Sequence, residues 1–159
     1  IAFSTDHGTH LGEQGCVQKQ AKLLNSCLAR VPLIIRHPDN SFRGKRVTEL
    51  ASHLDFVPTF LSLLGVKTNL SFHGGNLWEL VNGGKLRDHV VTGYGNFGAV
   101  HTRKWHYFQN VWGKDPGLGP QLYDLEKDPR EEKDVVKSYP EIAAGMKKLM
   151  EKSFRTKLP

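Results

Sequence analysis

The spacing of apolar positions changes character several times along the chain. It opens on Ile1-Ala2-Phe3-Ser4 and then turns polar through Thr5-Asp6-His7-Gly8. A short apolar run closed by polar residues and a Gly predicts a buried strand with a loop at its C-terminal edge. Gly12 and Gly15 interrupt the next stretch, so residues 9–28 read as an irregular loop holding at best a short helix around Lys19 to Leu28. Val31-Pro32-Leu33-Ile34-Ile35, closed by Arg36-His37-Pro38-Asp39, predicts a second strand buried on both faces. A helix comes after it: Asp55 is a candidate N-cap, and Pro58 lies in the first turn, where a missing N–H costs little. Phe56, Phe60, Leu63 and Leu64 share a face before Gly65. Residues 66–88, rich in Gly and Asn around Leu77-Trp78-Leu80-Val81, read as a connector. Beyond them, His89 to Tyr94, Ala99 to Asn110 and Gln121 to Leu125 predict an antiparallel unit. A polar turn at Asp124 to Pro129 and an amphipathic helix over Pro140 to Phe154 complete it. That helix turns Ile142, Met146, Leu149 and Met150 inward, with Glu141 at its start and Lys152 near its end.

These 159 residues suffice for one domain or two small ones, and the pattern suggests a split into 1–88 and 89–159. A natural domain seldom starts inside a core strand, so the first residues suggest a C-terminal piece of a longer protein. The net charge of +6 is mild, and the basic residues alternate with acidic ones. That argues against a nucleic-acid surface, which needs a one-sided basic block. No apolar run approaches the 18 or so residues of a transmembrane helix. Cys16 and Cys27 are too few for a disulfide framework or a zinc cluster, and as nucleophiles they would need a positioned base; buried structural thiols are the expectation.

Asp6 and His7 are the sharpest chemical pair. A carboxylate and an imidazole at the C-terminal end of a strand can coordinate a divalent cation, hard for Ca²⁺, Mg²⁺ or Mn²⁺ and extended by imidazole to Zn²⁺. Two ligands do not complete a site, and the competing reading has Asp6 capping the next turn and His7 in solvent. Lys19, in a Gly-flanked loop, could hold an anionic oxygen as charge develops; a solvated lysine is the plainer alternative, and Lys22 competes for the role. His10 and Glu13 are weaker candidates.

In order along the chain, Phe3-Ser4-Thr5-Asp6-His7-Gly8-Thr9-His10-Leu11-Gly12-Glu13-Gln14-Gly15, Lys19 and Arg30-Val31-Pro32-Leu33-Ile34-Ile35-Arg36 resemble the sulfatase family of the alkaline-phosphatase-like superfamily. Asp55-Phe56-Val57-Pro58-Thr59-Phe60, Val100-His101-Thr102-Arg103-Lys104-Trp105-His106-Tyr107 and Leu122-Tyr123-Asp124-Leu125-Glu126-Lys127-Asp128-Pro129-Arg130-Glu131 resemble its later segments. The resemblance implies an α/β fold: the C-terminal portion of a mostly parallel sheet sandwich, plus a small antiparallel sheet with a C-terminal helix. It implies Asp6 as a metal ligand, His7 on or beside the metal with a catalytic part, and Lys19 against the sulfate and its leaving oxygen, Lys22 being the fallback. Calcium is the implied metal, with Mn²⁺ or Zn²⁺ in a phosphoesterase.

Family members use a formylglycine made from the first residue of Cys/Ser-x-Pro-x-Arg. Neither Cys16-Val17-Gln18-Lys19-Gln20 nor Cys27-Leu28-Ala29-Arg30-Val31 fits that pattern. The resemblance therefore implies half a site, with the nucleophile and further carboxylates on an N-terminal half, and an inert isolated fragment. The implied substrate is a sulfate ester or sulfamate of a sugar or aryl compound. The implied compartment is exported, periplasmic or lysosomal, where Asn69-Leu70-Ser71 would be a glycosylation sequon. Two other readings stay open: a phosphodiesterase or phosphonate monoester hydrolase of the same superfamily, and a non-catalytic module presenting Arg103, Trp105, His106 and Tyr107 to an anionic glycan.

Overall fold

The computed structural model describes residues 1–20, 22–112, 119–155 and 158. They form two compact units, one of Arg36–Val90 with Ile1 and one joining Ala2–Ile35 to Val91–Pro159. In chain order the elements are β1 (Ala2–Ser4), β2 (His10–Leu11), β3 (Val17–Gln18), α1 (Ser26–Ala29) and β4 (Leu33–Ile35). Then come α2 (Phe56–Leu63), α3 (Leu77–Val81), β5 (Val90–Tyr94), β6 (Phe97–His101), β7 (Trp105–Asn110), β8 (Gln121–Asp124) and α4 (Pro140–Phe154).

In the second unit β5 to β8 form one sheet in sequential order. β6 pairs antiparallel with β7, Val100 opposite Tyr107 and His101 opposite His106, and β7 with β8, Tyr107 opposite Leu122. Both faces are buried along β6, β7 and β8. On one, Val100, Tyr107 and Leu122 pack with Val111 and with Met146 and Met150 of α4. On the other, Phe97, Ala99, Phe108 and Tyr123 pack with Leu24 and with Leu28 of α1. A strand covered on both sides shows no clean polar alternation, which is why β7 looks mixed in sequence. The single strand expected over Ala99 to Asn110 is in fact a hairpin. Thr102 turns the chain, its Oγ1 accepting hydrogen bonds from Trp105 N at 2.8 Å and Lys104 N at 3.3 Å. α4 has the expected bounds and buries Met146 and Met150, but Ile142 is exposed.

β1 and β4 pair antiparallel, Phe3 opposite Ile34. This departs from the mostly parallel sheet expected. α1 has only four residues, too short to act as the crossover cover that a parallel neighbour requires. Nor is the pair buried on both faces: Phe3 is 60% and Ile34 65% exposed. The α/β class holds in the coarser form of small antiparallel sheets with short helices and a C-terminal helix.

In the first unit a 3-10 turn at His53–Asp55 leads into α2. Ser52, not Asp55, is the cap: its Oγ accepts from Leu54 N at 3.4 Å, while Asp55 Oδ2 accepts back from Ser52 N at 2.7 Å. Asp55 is fully buried, and its carboxylate also takes Gly75 N at 2.9 Å and a two-pronged Arg87 guanidinium. Burial alone would raise this carboxyl, but the Arg87, Gly75 and Ser52 hydrogen bonds outweigh it and hold it below the usual range. Thr59 is the buried residue of α2. Its hydroxyl donates to Asp55 O at 2.6 Å and accepts from Leu77 N at 2.9 Å, joining α2 to α3. The apolar face expected on α2 does not form the core here: Leu64 is 74% exposed. The expected connector carries α3, capped by Asn76 Oδ1 on Trp78 N at 3.1 Å, with Leu77 and Leu80 buried.

Candidate functional site

The loop leaving β1 in the second unit is shaped by its own short-range hydrogen bonds. Ser4 Oγ donates to Pro32 O at 2.9 Å, anchoring the strand end. Asp6 Oδ1 accepts from His7 N at 3.0 Å and from Thr5 Oγ1 at 3.3 Å. The backbone N–H and the neighbouring imidazole of His7 hold the Asp6 carboxyl below the usual range. Both residues are exposed, with His7 Nε2 3.6 Å from Asp6 Oδ2.

His7 Nδ1 lies 2.7 Å from Gly8 O. A carbonyl can only accept, so Nδ1 carries a proton, and Nε2 is the ring nitrogen that faces Asp6 Oδ2. A carboxylate oxygen beside an imidazole whose other nitrogen is held by a backbone carbonyl is the donor pair that a divalent cation takes. The pair fits a metal as part of a larger ligand set. Among the described residues no group of three or more His, Cys, Asp or Glu side chains could hold an ion alone.

Gly8 fixes where the loop lies. Its N–H donates to Leu28 O at 2.8 Å, and a Cβ there would stand 1.9 Å from Cys27 O, so only Gly allows α1 so close. The next segment folds back as the β2–β3 hairpin, His10 opposite Gln18. Gly12 sits at φ 126°, in a conformation that side chains rarely adopt. Glu13 Oε2 accepts from Leu11 N at 2.6 Å, which lowers its carboxyl. His10 is buried, with Nδ1 3.1 Å from Gln18 O. These two candidates thus close the hairpin. Lys19, just past β3, is half-buried and places Nζ 4.0 Å from the centre of the Tyr94 ring. The structure brings Asp6 and His7 together; Lys19 contacts Tyr94 and neither of them. Lys22 is exposed.

Cys16 and Cys27 are free and half-buried. Burial, with the charges of Glu13 and Glu131, pushes the Cys27 thiol up to about 11, which leaves it protonated and unreactive. The surface suggested for a glycan-binding module is not assembled: His106 and Tyr107 are buried, Trp105 packs on Tyr139, and Arg103 lies on the exposed turn.

Sequence reasoning missed a buried polar network behind these loops. Glu131 is 1% exposed, and its Oε1 accepts from His106 Nδ1 at 2.9 Å and Ser26 Oγ at 2.5 Å, while Oε2 accepts from Ser26 N at 2.9 Å. Burial would raise this carboxyl, but the His106 and Ser26 hydrogen bonds outweigh it and hold it low. His106 stacks on His101, ring centres 4.0 Å apart. Burial and the neighbouring His106 press His101 well below its ordinary value, so it stays neutral. The available signal was Glu131 itself, an acid closing the Asp128-Pro129-Arg130-Glu131 turn; its partners lie 25 and 105 residues away.

Residues 12–156 match the family described as "N-sulphoglucosamine sulphohydrolase, C-terminal". The chain belongs to the sulfatase family. It corresponds to the C-terminal region of a sulfatase and is 30% identical to N-acetylglucosamine-6-O-sulfatase of Bacteroides thetaiotaomicron, over 95% of this chain and 28% of that protein. It is 34% identical to choline-sulfatase of Rhizobium meliloti, over 82% of this chain and 26% of the relative. A solved structure described as in complex with its substrate D-glucosamine-2-N,6-O-disulfate superposes with a TM-score of 0.82 at 25% identity, covering 98% of this chain and 34% of the other. This sulfatase region thus spans less than a third of the curated relatives it matches.

Proposed function

We propose that this region serves a metal-dependent sulfatase that hydrolyses a sulfate ester or sulfamate of a sugar, or of an aryl compound, and that it contributes Asp6, His7 and Lys19 to the active site. The observation that carries the reading is the Asp6–His7 pair: an exposed carboxylate with acceptor capacity to spare, beside an imidazole held through Nδ1 by Gly8 O so that Nε2 lies next to Asp6 Oδ2. Asp6 would hold the cation, with His7 on or beside it, and the hardness of the carboxylate donors favours calcium. When bound, the cation polarises a sulfate oxygen. Lys19 would set its ammonium against the sulfate and offset charge growing on the leaving oxygen. His7, its Nδ1–H tied to Gly8 O, keeps Nε2 in place through that change. The nucleophile, a formylglycine, and the remaining carboxylates would come from the rest of the polypeptide, with the mostly parallel sheet. Exposed Phe3 and Ile34 on β1 and β4, and Leu11 and Val17 on the hairpin, are the apolar surface such a body would cover. The sugar preference is supported by the N-acetylglucosamine-6-O-sulfatase and the disulfated glucosamine complex among its relatives.

The test is turnover by the full-length protein on glucosamine 6-sulfate, glucosamine N-sulfate and an aryl sulfate, beside a phosphate diester and a phosphonate monoester, with and without chelator. Sulfate turnover that chelator and Asp6→Asn both abolish is the expected result. Preference for the phosphorus esters would replace the reading by a phosphodiesterase or phosphonate hydrolase, with Mn²⁺ or Zn²⁺ as the metal. Sulfate turnover indifferent to Asp6→Asn would remove Asp6 from the site. The isolated 159 residues are expected to be inert.

A further inference from the structure

We infer that Glu131 is the positioning residue of the candidate site, the single post to which both of its arms are tied. The first arm is the Asp6–His7 loop. It continues into Gly8, whose N–H is held by Leu28 O of α1, and α1 begins at Ser26, whose N–H and hydroxyl both donate to the Glu131 carboxylate. The second arm is the β2–β3 hairpin leading to Lys19. At its tip Gln14 adopts φ 55°, and its side-chain amide donates to the Glu131 backbone carbonyl. One residue therefore serves one arm through its side chain and the other through its main chain.

The geometry around Glu131 is that of a built device. Glu131 itself adopts φ 56°, outside the comfortable range for a side chain, and such strain persists only where the surroundings over-determine it. The surroundings do so here: His106 lies on the buried strand β7, stacked against His101 and Phe108, and pins Oε1. The first arm is also held through Leu28 in the core, but the hairpin has little apolar packing of its own. Leu11 and Val17 of the hairpin are 82% and 65% exposed, and His10 is its buried residue. Segments with few buried apolar contacts open locally at low cost. A fixed hydrogen-bonded post supplies the order that packing does not, and misplacement by about 1 Å can cost a site roughly 10²-fold in rate.

For catalysis the inference rests on the sulfatase reading above; for the tie itself it does not. The experiment uses the full-length protein with Glu131→Gln and, because Gln14 is exposed and its loss does not threaten folding, Gln14→Ala. Amide hydrogen exchange is the first readout and steady-state kinetics the second. In Glu131→Gln, exchange at Gly8 and at Gly12, Gly15 and Cys16 is expected to quicken at least tenfold, with α4 and β7 unchanged. In Gln14→Ala only the hairpin amides should quicken. kcat, taken per folded enzyme, should fall about tenfold or more while KM moves less than threefold; loss of folded protein alone would leave kcat on that basis unchanged. Unchanged exchange in both arms, or uniform acceleration that includes α4, overturns the inference. So does quickened exchange with full kcat in a protein that Asp6→Asn inactivates. If Asp6→Asn is itself active while both arms quicken, the tie stands and the assignment of the active site falls.

Discussion

Asp6 and Asp55 are both carboxylates held below their ordinary range, one in each compact unit, and they do opposite work. Asp55 is fully buried and its two oxygens are used up by Ser52 N, Gly75 N and Arg87. Asp6 is exposed and spends one oxygen on its own loop, leaving Oδ2 near His7 Nε2. A saturated carboxylate is a structural joint. An unsaturated one, presented at a strand end on a loop fixed by a glycine, has capacity left for a ligand. The direction of a pKa shift alone does not separate the two, while the count of satisfied lone pairs does.

Substitutions can break this comparison, and on stability their effects should descend in a set order. Asp55→Ala leaves the Arg87 guanidinium without its partner and should cost about 3–5 kcal/mol, read from the urea midpoint; a cost under about 1 kcal/mol would deny Asp55 its role as joint. The same contribution has a pH signature. Because folding depresses the Asp55 carboxyl, its stabilisation is present above the unfolded value near 3.9 and is lost as pH falls through the folded value. Stability that stays level from neutrality down to about pH 4 and then falls is expected, with a weaker fall in Asp55→Asn. Gly8→Ala comes next, since its new Cβ meets Cys27 O and cannot be relieved by a rotamer change; overpacking of this kind costs about 1–3 kcal/mol. Lys19→Met removes a cation from the Tyr94 ring and should cost about 0.5–1 kcal/mol. Asp6→Asn should leave the midpoint where it was.

In the full-length protein the order should reverse for Lys19 and Asp6. Asp6→Asn should weaken metal binding, measured by competition with a chromogenic chelator, by at least the roughly 10–100-fold that loss of a mere outer-shell partner costs. A midpoint that drops in Asp6→Asn as it does in Asp55→Ala would erase the distinction.

How far the sequence alone carries this picture depends on whether each feature is local. α4 is written in its 3.6-residue spacing and the Pro at its start, and β5 and β8 in their short apolar runs. The turn at Thr102 was hidden because Thr, Arg and Lys replace the usual Gly or Asn, and the hydroxyl of Thr102 does the turning. The sense of the β1–β4 pairing is a property of two segments about thirty residues apart, and no pattern within either encodes it. The place of Asp6 and His7 just past a strand end was legible because it is set by adjoining residues. Asp55 looked like a helix cap because Arg87 is 32 residues away; Glu131 looked like a turn residue because His106 and Ser26 are remote. Buried charge, like strand pairing, takes its meaning largely from distant partners.

The second unit is built from two stretches, Ala2–Ile35 and Val91–Pro159, with the first unit's sequence between them. This has a consequence for synthesis. Ribosomes add roughly 5–20 residues per second, and the intervening unit, contiguous from Arg36, has all its parts in hand while the C-terminal strands are still being made. Leu24 and Leu28 must wait for Phe97, Phe108 and Tyr123, and Ser26 for Glu131. The residues proposed for chemistry are thus among the earliest translated here and among the last to take shape. A nascent chain arrested before β8 would carry Asp6, His7 and Lys19 in full and still lack the means to arrange them.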